Sequence, residues 1–299
     1  MSDKKARLML LTVSIISGSG FLAITRILGE GVYPLQLIFA RFLIASTVMA
    51  VFLNKRIREI KKSEVICGVI LGGFTSMGFF LQFTGLLYTS VSNNSFLITS
   101  YVLIAPLFFW MLTGVRPDNY LLASMLMSLS GIALLTLDSS LSIGKGDALS
   151  LLAALFYAGN VVATFKFLGK NKPLHVTSVQ FATVAVITGV LSLQYGAWPN
   201  ITALSRLGIV YLGLVSTVLS YLLQNFAFKY TVPAKSSAIL STQCIFSMLF
   251  SVTFLGEQLT LKSVLSSIII FASIFISATK PSFKLFSKRD KTEKNSDAA

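Results

Sequence analysis

The sequence predicts an all-α polytopic membrane protein with ten transmembrane helices, arranged as two five-helix repeats of inverted topology. Three observations lead to this fold class: the composition, a series of charge-free segments of spanning length, and an internal repeat. Hydrophobic residues make up 54% of the 299 residues, charged residues only 12%, and the mean hydropathy is +0.78. Soluble domains contain about 25% charged residues, so this chain has too little polar surface to enclose its apolar content in water.

The segments between charged residues locate the helices, since a helix needs about 20 mainly apolar residues to cross the bilayer core. The charge-free segment 65–115 is too long for one crossing, and its polar stretch at 89–94 predicts a turn there. Ten spans result, numbered 1 to 10 in chain order: 8–28, 34–53, 65–88, 93–113, 119–137, 147–168, 174–195, 207–229, 234–255 and 261–279.

Basic residues are distributed unequally between alternate loops. Of the 25 Lys and Arg residues, 20 fall on the side that carries both termini, four fall on the other side, and Arg41 lies within span 2. Cytoplasmic loops carry the excess of Lys and Arg, so both termini are predicted to be cytoplasmic, in a plasma or inner membrane. The net charge of +14 is then a topology signal rather than a nucleic-acid-binding surface. The basic tail 281–299 is expected to be disordered, beside anionic lipid.

The chain also repeats itself, which predicts two halves at residues 1–139 and 140–280. An offset of 142 aligns Thr75, Phe79 and Gln82 with Thr217, Tyr221 and Gln224, and an offset of 139 aligns Arg41-Phe42 with Gln180-Phe181. Five is an odd number of crossings, so the second half is inserted in the opposite sense to the first. Inverted repeats of this kind are typical of secondary transporters, in which two halves rock about a central site.

Several short motifs strengthen this interpretation: Arg41-Phe42 in span 2, Gln82 with Tyr88-Thr89 at the end of span 3, Gly146-Asp147 at the start of span 6 and Leu255-Gly256-Glu257 at the end of span 9. Their order resembles the EamA family of the drug/metabolite transporter (DMT) superfamily over residues 8–279. The resemblance implies a central cavity lined mainly by spans 1, 3, 4, 6, 8 and 9, and alternating access. It also implies export or exchange of amino acids, metabolites or drug-like compounds.

Polar and aromatic side chains within the spans are the candidates to line that cavity, because hydrocarbon disfavours polar groups that meet neither a partner nor water. Corresponding residues of spans 3 and 8 share one helix face, and spans 4, 6 and 9 carry further polar pairs. The predicted substrate-pathway residues are Gln82, Gln224, Asn225, Tyr101, Gln243, Tyr157, Asn160, Phe79, Tyr221 and Asn94. For the Gln82 and Gln224 pair, the alternative is helix–helix hydrogen bonding, which contributes about 0.6 kcal/mol in membranes.

Two further residues have a structural and a functional interpretation, and both interpretations stay open. Arg41 is the one charge well inside a predicted span, about 10 Å from the outer start of span 2. It either extends to the headgroups or anchors an anionic group or helix carbonyls. Pro106 is expected to kink span 4 near its middle, as a gating pivot or as an ordinary packing kink, whereas its counterpart Met248 cannot do so.

The residue types present argue against an enzyme. The spans offer no paired carboxylates, no membrane-embedded catalytic base and no metal cluster, since His175 is the only histidine and Cys67 and Cys244 fall in apolar segments. No cofactor or metal is expected. With no Asp or Glu inside a predicted span, and with Asp138, Asp147 and Glu257 only at the outer ends of spans, exchange or facilitated export is favoured over obligatory proton symport.

The sequence therefore predicts a secondary transporter of a small organic solute, acting by alternating access in efflux or exchange. Its expected partners are the small-molecule substrate and membrane lipid; nucleic acid is not expected, and a homodimer stays open. The alternative is a non-transporting integral membrane protein or an intramembrane enzyme. Loops of about 10 residues leave little for a protein partner to bind.

Overall fold

A computed structural model describes residues 3–114, 119–136, 143–168, 171–228 and 239–279. Helices dominate these residues, which confirms the all-α fold class: α1 Asp3–Gly29, α2 Pro34–Leu53, α3 Lys62–Leu86, α4 Val91–Thr99, α5 Tyr101–Thr113, α6 Asn119–Thr136, α7 Lys145–Leu168, α8 Pro173–Ser192, α9 Ala203–Gly213, α10 Ser220–Phe228, α11 Gln243–Leu255 and α12 Leu261–Thr279. A π-helix, Leu214–Leu219, joins α9 to α10, and short 3₁₀ segments follow α2 and α8. The tail 281–299 and the predicted boundary between residues 139 and 140 lie outside the described residues.

Seven apolar helices in the described part of the chain are long enough to cross a membrane, and three further apolar helices are shorter. They occur where the sequence places its spans, so the chain is a multi-pass membrane protein; the count of ten crossings stays a prediction. Large apolar side chains cover the periphery. Val51 and Phe52, for example, are 73% and 71% exposed, as expected for side chains that face lipid tails.

Proline begins and glycine ends corresponding helices of the two halves. Pro34 and Pro173 stand at the first position of α2 and α8, where a residue without an N–H costs no helical hydrogen bond. Gly114 and Gly256 follow α5 and α11 with φ of 72° and 67°, the left-handed conformation that terminates helices. These local signals set the same helix ends in both halves.

Span 4 is interrupted at Ser100, between α4 and α5, and span 9 is interrupted at the corresponding Thr242, before α11. Each hydroxyl donates to the carbonyl three residues earlier, at 2.5 Å for Ser100 and 2.6 Å for Thr242. Such side-chain bonds compete with the regular helical pattern. The interruption lies six residues before Pro106, which is inside the continuous α5, and the second half has one without a proline. It therefore does not depend on Pro106, whose gating role stays a prediction.

The packing of the helices follows the same correspondence. The first half's α3 packs against α7 and α8, while its counterpart, the α9–α10 segment, packs against α1 and α2. Counterparts also pack on each other, as α2 does on α8 and α6 on α12. The largest buried apolar cluster joins residues of both halves, including Phe42 and Phe181. The two halves therefore interlock, and the residues of interest lie at their interface.

Candidate substrate site

Two buried hydrogen bonds connect the halves at corresponding positions. Arg41 Nε on α2 donates to Thr217 Oγ1 at 2.6 Å, and Gln180 Nε2 on α8 donates to Thr75 Oγ1 at 2.7 Å. The sequence repeat aligns Arg41 with Gln180 and Thr75 with Thr217, so each bond is the counterpart of the other. All four side chains are buried. These bonds place the centre of the candidate site where α2 and α8 cross the α9–α10 segment and α3.

The two threonines differ in their local helix. Thr75 Oγ1 donates to the carbonyl of Leu71, four residues earlier, at 2.8 Å. Thr217 Oγ1 donates to the carbonyl of Leu212, five residues earlier, at 2.7 Å, because Thr217 lies in the π-helix. π-helical turns inside α-helices occur frequently at functional sites. The π-helix also brings the carbonyl of Ser216 to Arg41, 3.2 Å from Nη2.

Arg41 is a buried cation among neutral groups. Its guanidinium lies over the ring of Phe79, 4.8 Å from the ring centre, and 5.7 Å from that of Phe42. Aromatic faces attract cations and offset part of the cost of burial. Its side chain is 5% exposed and bonds to protein oxygens, so it anchors helix groups rather than extending to the headgroups. None of the ion pairs within the described residues involves Arg41.

Aromatic rings run from one half to the other through this site. Neighbouring ring centres are 5.1 to 6.2 Å apart along the series Tyr101, Tyr157, Phe79, Phe42, Phe181 and Tyr221. All five neighbouring pairs meet edge to face, an arrangement that ring quadrupoles favour. Four of the six residues form two counterpart pairs: Phe42 with Phe181, and Phe79 with Tyr221. The series brings together three predicted aromatic residues beside Phe79 and adds Phe42 and Phe181.

The predicted amides do not form a symmetric pair across the interface. Gln82 Oε1 accepts a hydrogen bond from the Tyr157 hydroxyl at 2.5 Å. No hydrogen bond from the side chains of Gln224 or Gln243 is found among the described residues. Asn160 Nδ2 donates to Thr75 Oγ1 at 3.0 Å and so joins the Gln180–Thr75 contact. The side chain of Asn225 lies outside those the structure describes.

Asn94 lies beside this site in a fully buried position at the start of α4. Its Nδ2 donates to Ser150 Oγ at 2.8 Å and to the carbonyl of Gln82 at 3.2 Å. Its Oδ1 is buried without a hydrogen-bond partner. Asn94 thus connects α4 to α7 and α3, which gives it a structural contact in addition to its predicted pathway role.

The expectation that no carboxylate lies in a span needs correction, because α3 begins three residues before predicted span 3 and because Asp147 is itself the first residue of predicted span 6. Glu64 and Asp147 therefore fall in first helical turns and are buried. Glu64 accepts the N–H of Lys172 at 2.9 Å, and its Oε2 lies 2.9 Å from His175 Nδ1. Asp147 accepts from the Thr89 hydroxyl at 2.5 Å. Both carboxylates connect helix ends and stand away from Arg41.

Sequence reasoning missed the roles of several residues at the centre of the site: Phe42, Thr75, Gln180, Phe181, Ser216 and Thr217. The repeat alignment contained the signal, since it already paired Arg41 with Gln180 and Thr75 with Thr217. The alignment did not indicate that the residues of the first pair form hydrogen bonds to the residues of the second pair. The described residues contain no group of three His, Cys, Asp or Glu side chains placed to hold a metal ion.

Comparison with known proteins agrees with this architecture. A solved crystal structure superposes with a TM-score of 0.68 at 18% identity, covering 91% of this chain and 97% of that one, which supports the fold. Two proteins of Archaeoglobus fulgidus, each named an uncharacterized transporter, are 26% identical over 271 and 292 residues; they cover 91% and 94% of this chain, and 85% and 99% of their own lengths. The model of the EamA-like transporter family matches residues 4–137 and again 144–279. The chain therefore belongs to the EamA-like transporter family, within the DMT superfamily, and is a multi-pass membrane transporter.

Proposed function

We propose that this protein is a secondary transporter that moves a small organic solute by alternating access, in efflux or exchange. The observation that carries this proposal is the pair of corresponding hydrogen bonds, Arg41–Thr217 and Gln180–Thr75, at the interface of two interlocked halves. Two halves with equivalent contacts can exchange roles, so that a site between them opens first to one compartment and then to the other. Residues 1–139 and 140–280 are the two inverted repeats in this proposal.

The aromatic series and its neighbouring amides are the proposed substrate pathway. Rings provide faces for an apolar body, and amide and hydroxyl groups fix its orientation, which is the usual division of labour in a small-molecule site. Amino acids, metabolites and drug-like compounds all fit this description. The carboxylates Glu64 and Asp147 are engaged at helix ends, which favours exchange or facilitated export over obligatory proton symport.

The proposed orientation follows from the basic loops: both termini in the cytoplasm of a plasma or inner membrane. It is tested by introducing single cysteines, Ser2→Cys or Ser140→Cys, into a chain in which Cys67 and Cys244 are replaced by alanine. An impermeant maleimide added to intact cells should label position 140 and spare position 2. Labelling of both positions from outside would overturn the inverted arrangement.

Transport itself is tested with the purified full chain in proteoliposomes loaded with a mixture of amino acids and metabolites. At least one solute should leave faster than from protein-free liposomes, and Gln82→Ala/Gln224→Ala should slow it at least about tenfold. Gln194→Ala is the matched control, because it removes an exposed amide at the end of α8. Release that stops whenever the pH gradient is collapsed contradicts the proposed exchange or facilitated export.

A further inference from the structure

The charge of Arg41 exceeds what its structural contact requires. Gln180, its counterpart, makes the equivalent bond to a threonine with a neutral amide, at a distance that differs by only 0.1 Å. The hydrogen bond to threonine where these helices cross therefore requires a hydrogen-bond donor, but the donor does not have to be positively charged. Removing a guanidinium from water is costly unless an opposite charge accompanies it. The positive charge of Arg41 is thus a feature of one half that the helix contact does not explain.

No acidic side chain forms an ion pair with Arg41 among the residues that the structure describes. The α3 helix contributes the ring of Phe79, and the π-helix contributes the Ser216 carbonyl and the Thr217 hydroxyl. The titratable groups that act on Arg41 electrostatically are three tyrosines: Tyr157, Tyr211 and Tyr221. Tyrosine is neutral at physiological pH. The carboxylate of Glu64 is on α3 too, but it is three turns from Thr75, about 16 Å along the helix. The site is therefore positively charged.

Some of the N–H donors of the Arg41 guanidinium form no hydrogen bond to the described residues. The guanidinium has five N–H groups, and its hydrogen bonds to described residues come from Nε and Nη2 alone. Both N–H groups of Nη1 are left for another acceptor. A carboxylate suits them, because its two oxygens match the planar fork of arginine. Arg41 is buried between the halves, so that this acceptor reaches it through the pathway rather than from a lipid headgroup.

We infer that Arg41 binds the carboxylate of the transported solute, and that the substrates are small organic acids with an aromatic or apolar body. The inference rests on the proposed function and names the substrate class of the same site. The anion offsets the buried charge, while the rings of Phe79, Tyr157 and Tyr221 contact the body. Because Arg41 is charged and its counterpart Gln180 is neutral, the carboxylate binds at one defined end of a site that is otherwise symmetric.

Binding to the purified full chain tests this with three probes that share one body: 3-phenylpropanoate (anion), 3-phenylpropanamide (neutral) and 3-phenylpropan-1-amine (cation). The wild type should bind the carboxylate at least about tenfold more tightly than the amide or the amine. Arg41→Gln should bind the carboxylate and the amide equally, with the amide affinity retained. This variant copies the residue found at position 180, so it keeps a donor for Thr217 and is expected to fold.

Arg26→Gln is the matched control, because it removes an exposed positive charge from the same half. It should keep the wild-type preference for the carboxylate. The inference is overturned if the wild type binds none of the probes, if it shows no preference for the anion, or if the preference survives in Arg41→Gln. An amide that binds as well as the carboxylate refutes the substrate class while leaving transport intact; the proteoliposome assay decides transport separately.

Discussion

The α3 helix and the α9–α10 segment occupy corresponding places in the two halves, yet only the second contains a π-helix. In α3, Gly72 lies where a Cβ would approach Thr183 Cβ to 2.6 Å; in α9, Gly213 lies where a Cβ would approach Ile44 Cβ to 2.8 Å. Gly72 precedes Thr75 by three residues, whereas Gly213 precedes Thr217 by four. The π-helix takes up this one additional residue, so both the glycine contact and the threonine contact are kept.

This difference shows which part of the segment is constrained. The close approach at glycine and the hydrogen bond at threonine are the same in both halves, while the backbone between them is not. A second difference concerns the donor, a charged Arg41 in one half and a neutral Gln180 in the other. The scaffold is thus symmetric in its contacts and asymmetric in its charge, and variants can separate these two properties.

Deleting one residue between glycine and threonine should give the largest difference between the halves. Deletion of Gly73 from α3 rotates everything beyond it by about 100° and should abolish folded protein. Deletion of Leu214 restores the three-residue spacing of α3, so this variant should still fold. Both deleted residues pack little, since Leu214 is exposed and a Cβ at Gly73 meets nothing within 4 Å. Size-exclusion profiles and the yield of monodisperse protein measure the outcome; equal loss in both variants would show that the π-helix does not absorb the insertion.

Exchanging the two hydrogen-bond donors, Arg41 and Gln180, should have the second largest effect on stability. Gln180→Arg adds a second buried cation with no counter-charge and should cost several kcal/mol of stability. Arg41→Gln keeps a donor for Thr217 and should cost about 1 kcal/mol or less. Thermal unfolding in one detergent compares the two variants. A Gln180→Arg variant as stable as the wild type would mean that the interface hydrates buried charge freely.

Removing the acceptor hydroxyls should have a smaller effect that again differs between the halves. Thr217→Val leaves a guanidinium without its shortest hydrogen bond and should cost about 1.5–3 kcal/mol. Thr75→Val removes the acceptor of two neutral amides, from Gln180 and Asn160, and should cost about 1 kcal/mol at the membrane average of 0.6 kcal/mol for each bond. Denaturation in matched micelles gives both values. The reverse order contradicts a charge-assisted bond at Thr217.

The smallest expected effect concerns the helix N-termini. Glu64 accepts the N–H of Lys61 at the start of α3, and Glu30 accepts the N–H of Thr202 at the start of α9, at 2.9 and 2.8 Å. Hydrogen bonds from the Ser205 hydroxyl, then from Thr202, lower the pKa of Glu30. Because the pKa of Glu30 is lower in the folded state, its carboxylate stabilises the fold at pH values above the unfolded pKa. This stabilisation is lost as the pH falls through the folded pKa. Glu30→Gln should therefore lower the melting temperature slightly at pH 7, and this deficit should vanish once the pH falls below the lowered pKa of folded Glu30.

A matched control for that series is Glu59→Gln, which removes an exposed carboxylate paired with Lys172 on a different loop. Its effect on the melting temperature should be small. A Glu30→Gln deficit that persists at low pH would assign the loss to packing and not to the carboxylate charge.

The helix positions could be read from the sequence because hydrophobicity, proline starts and glycine ends are local properties. Span 2 and α2 have the same bounds, 34–53, and the family resemblance was correct. The repeat offsets also identified the residues that make equivalent contacts. Pro106 indicated the interruption of span 4 less well, because the interruptions of spans 4 and 9 both occur at hydroxyl residues, Ser100 and Thr242.

The amino-acid sequence was sufficient to show that this chain crosses a membrane repeatedly, that it is built from two similar halves, and that Arg41 is an isolated charge in an apolar helix. The packing of the helices established that Arg41 donates to Thr217, that Gln82 accepts from Tyr157 while Gln224 has no such bond among the described residues, and that a π-helix keeps the halves in correspondence. The physical reason is that helix periodicity determines which face a side chain occupies, whereas its partner depends on how every helix packs against the others.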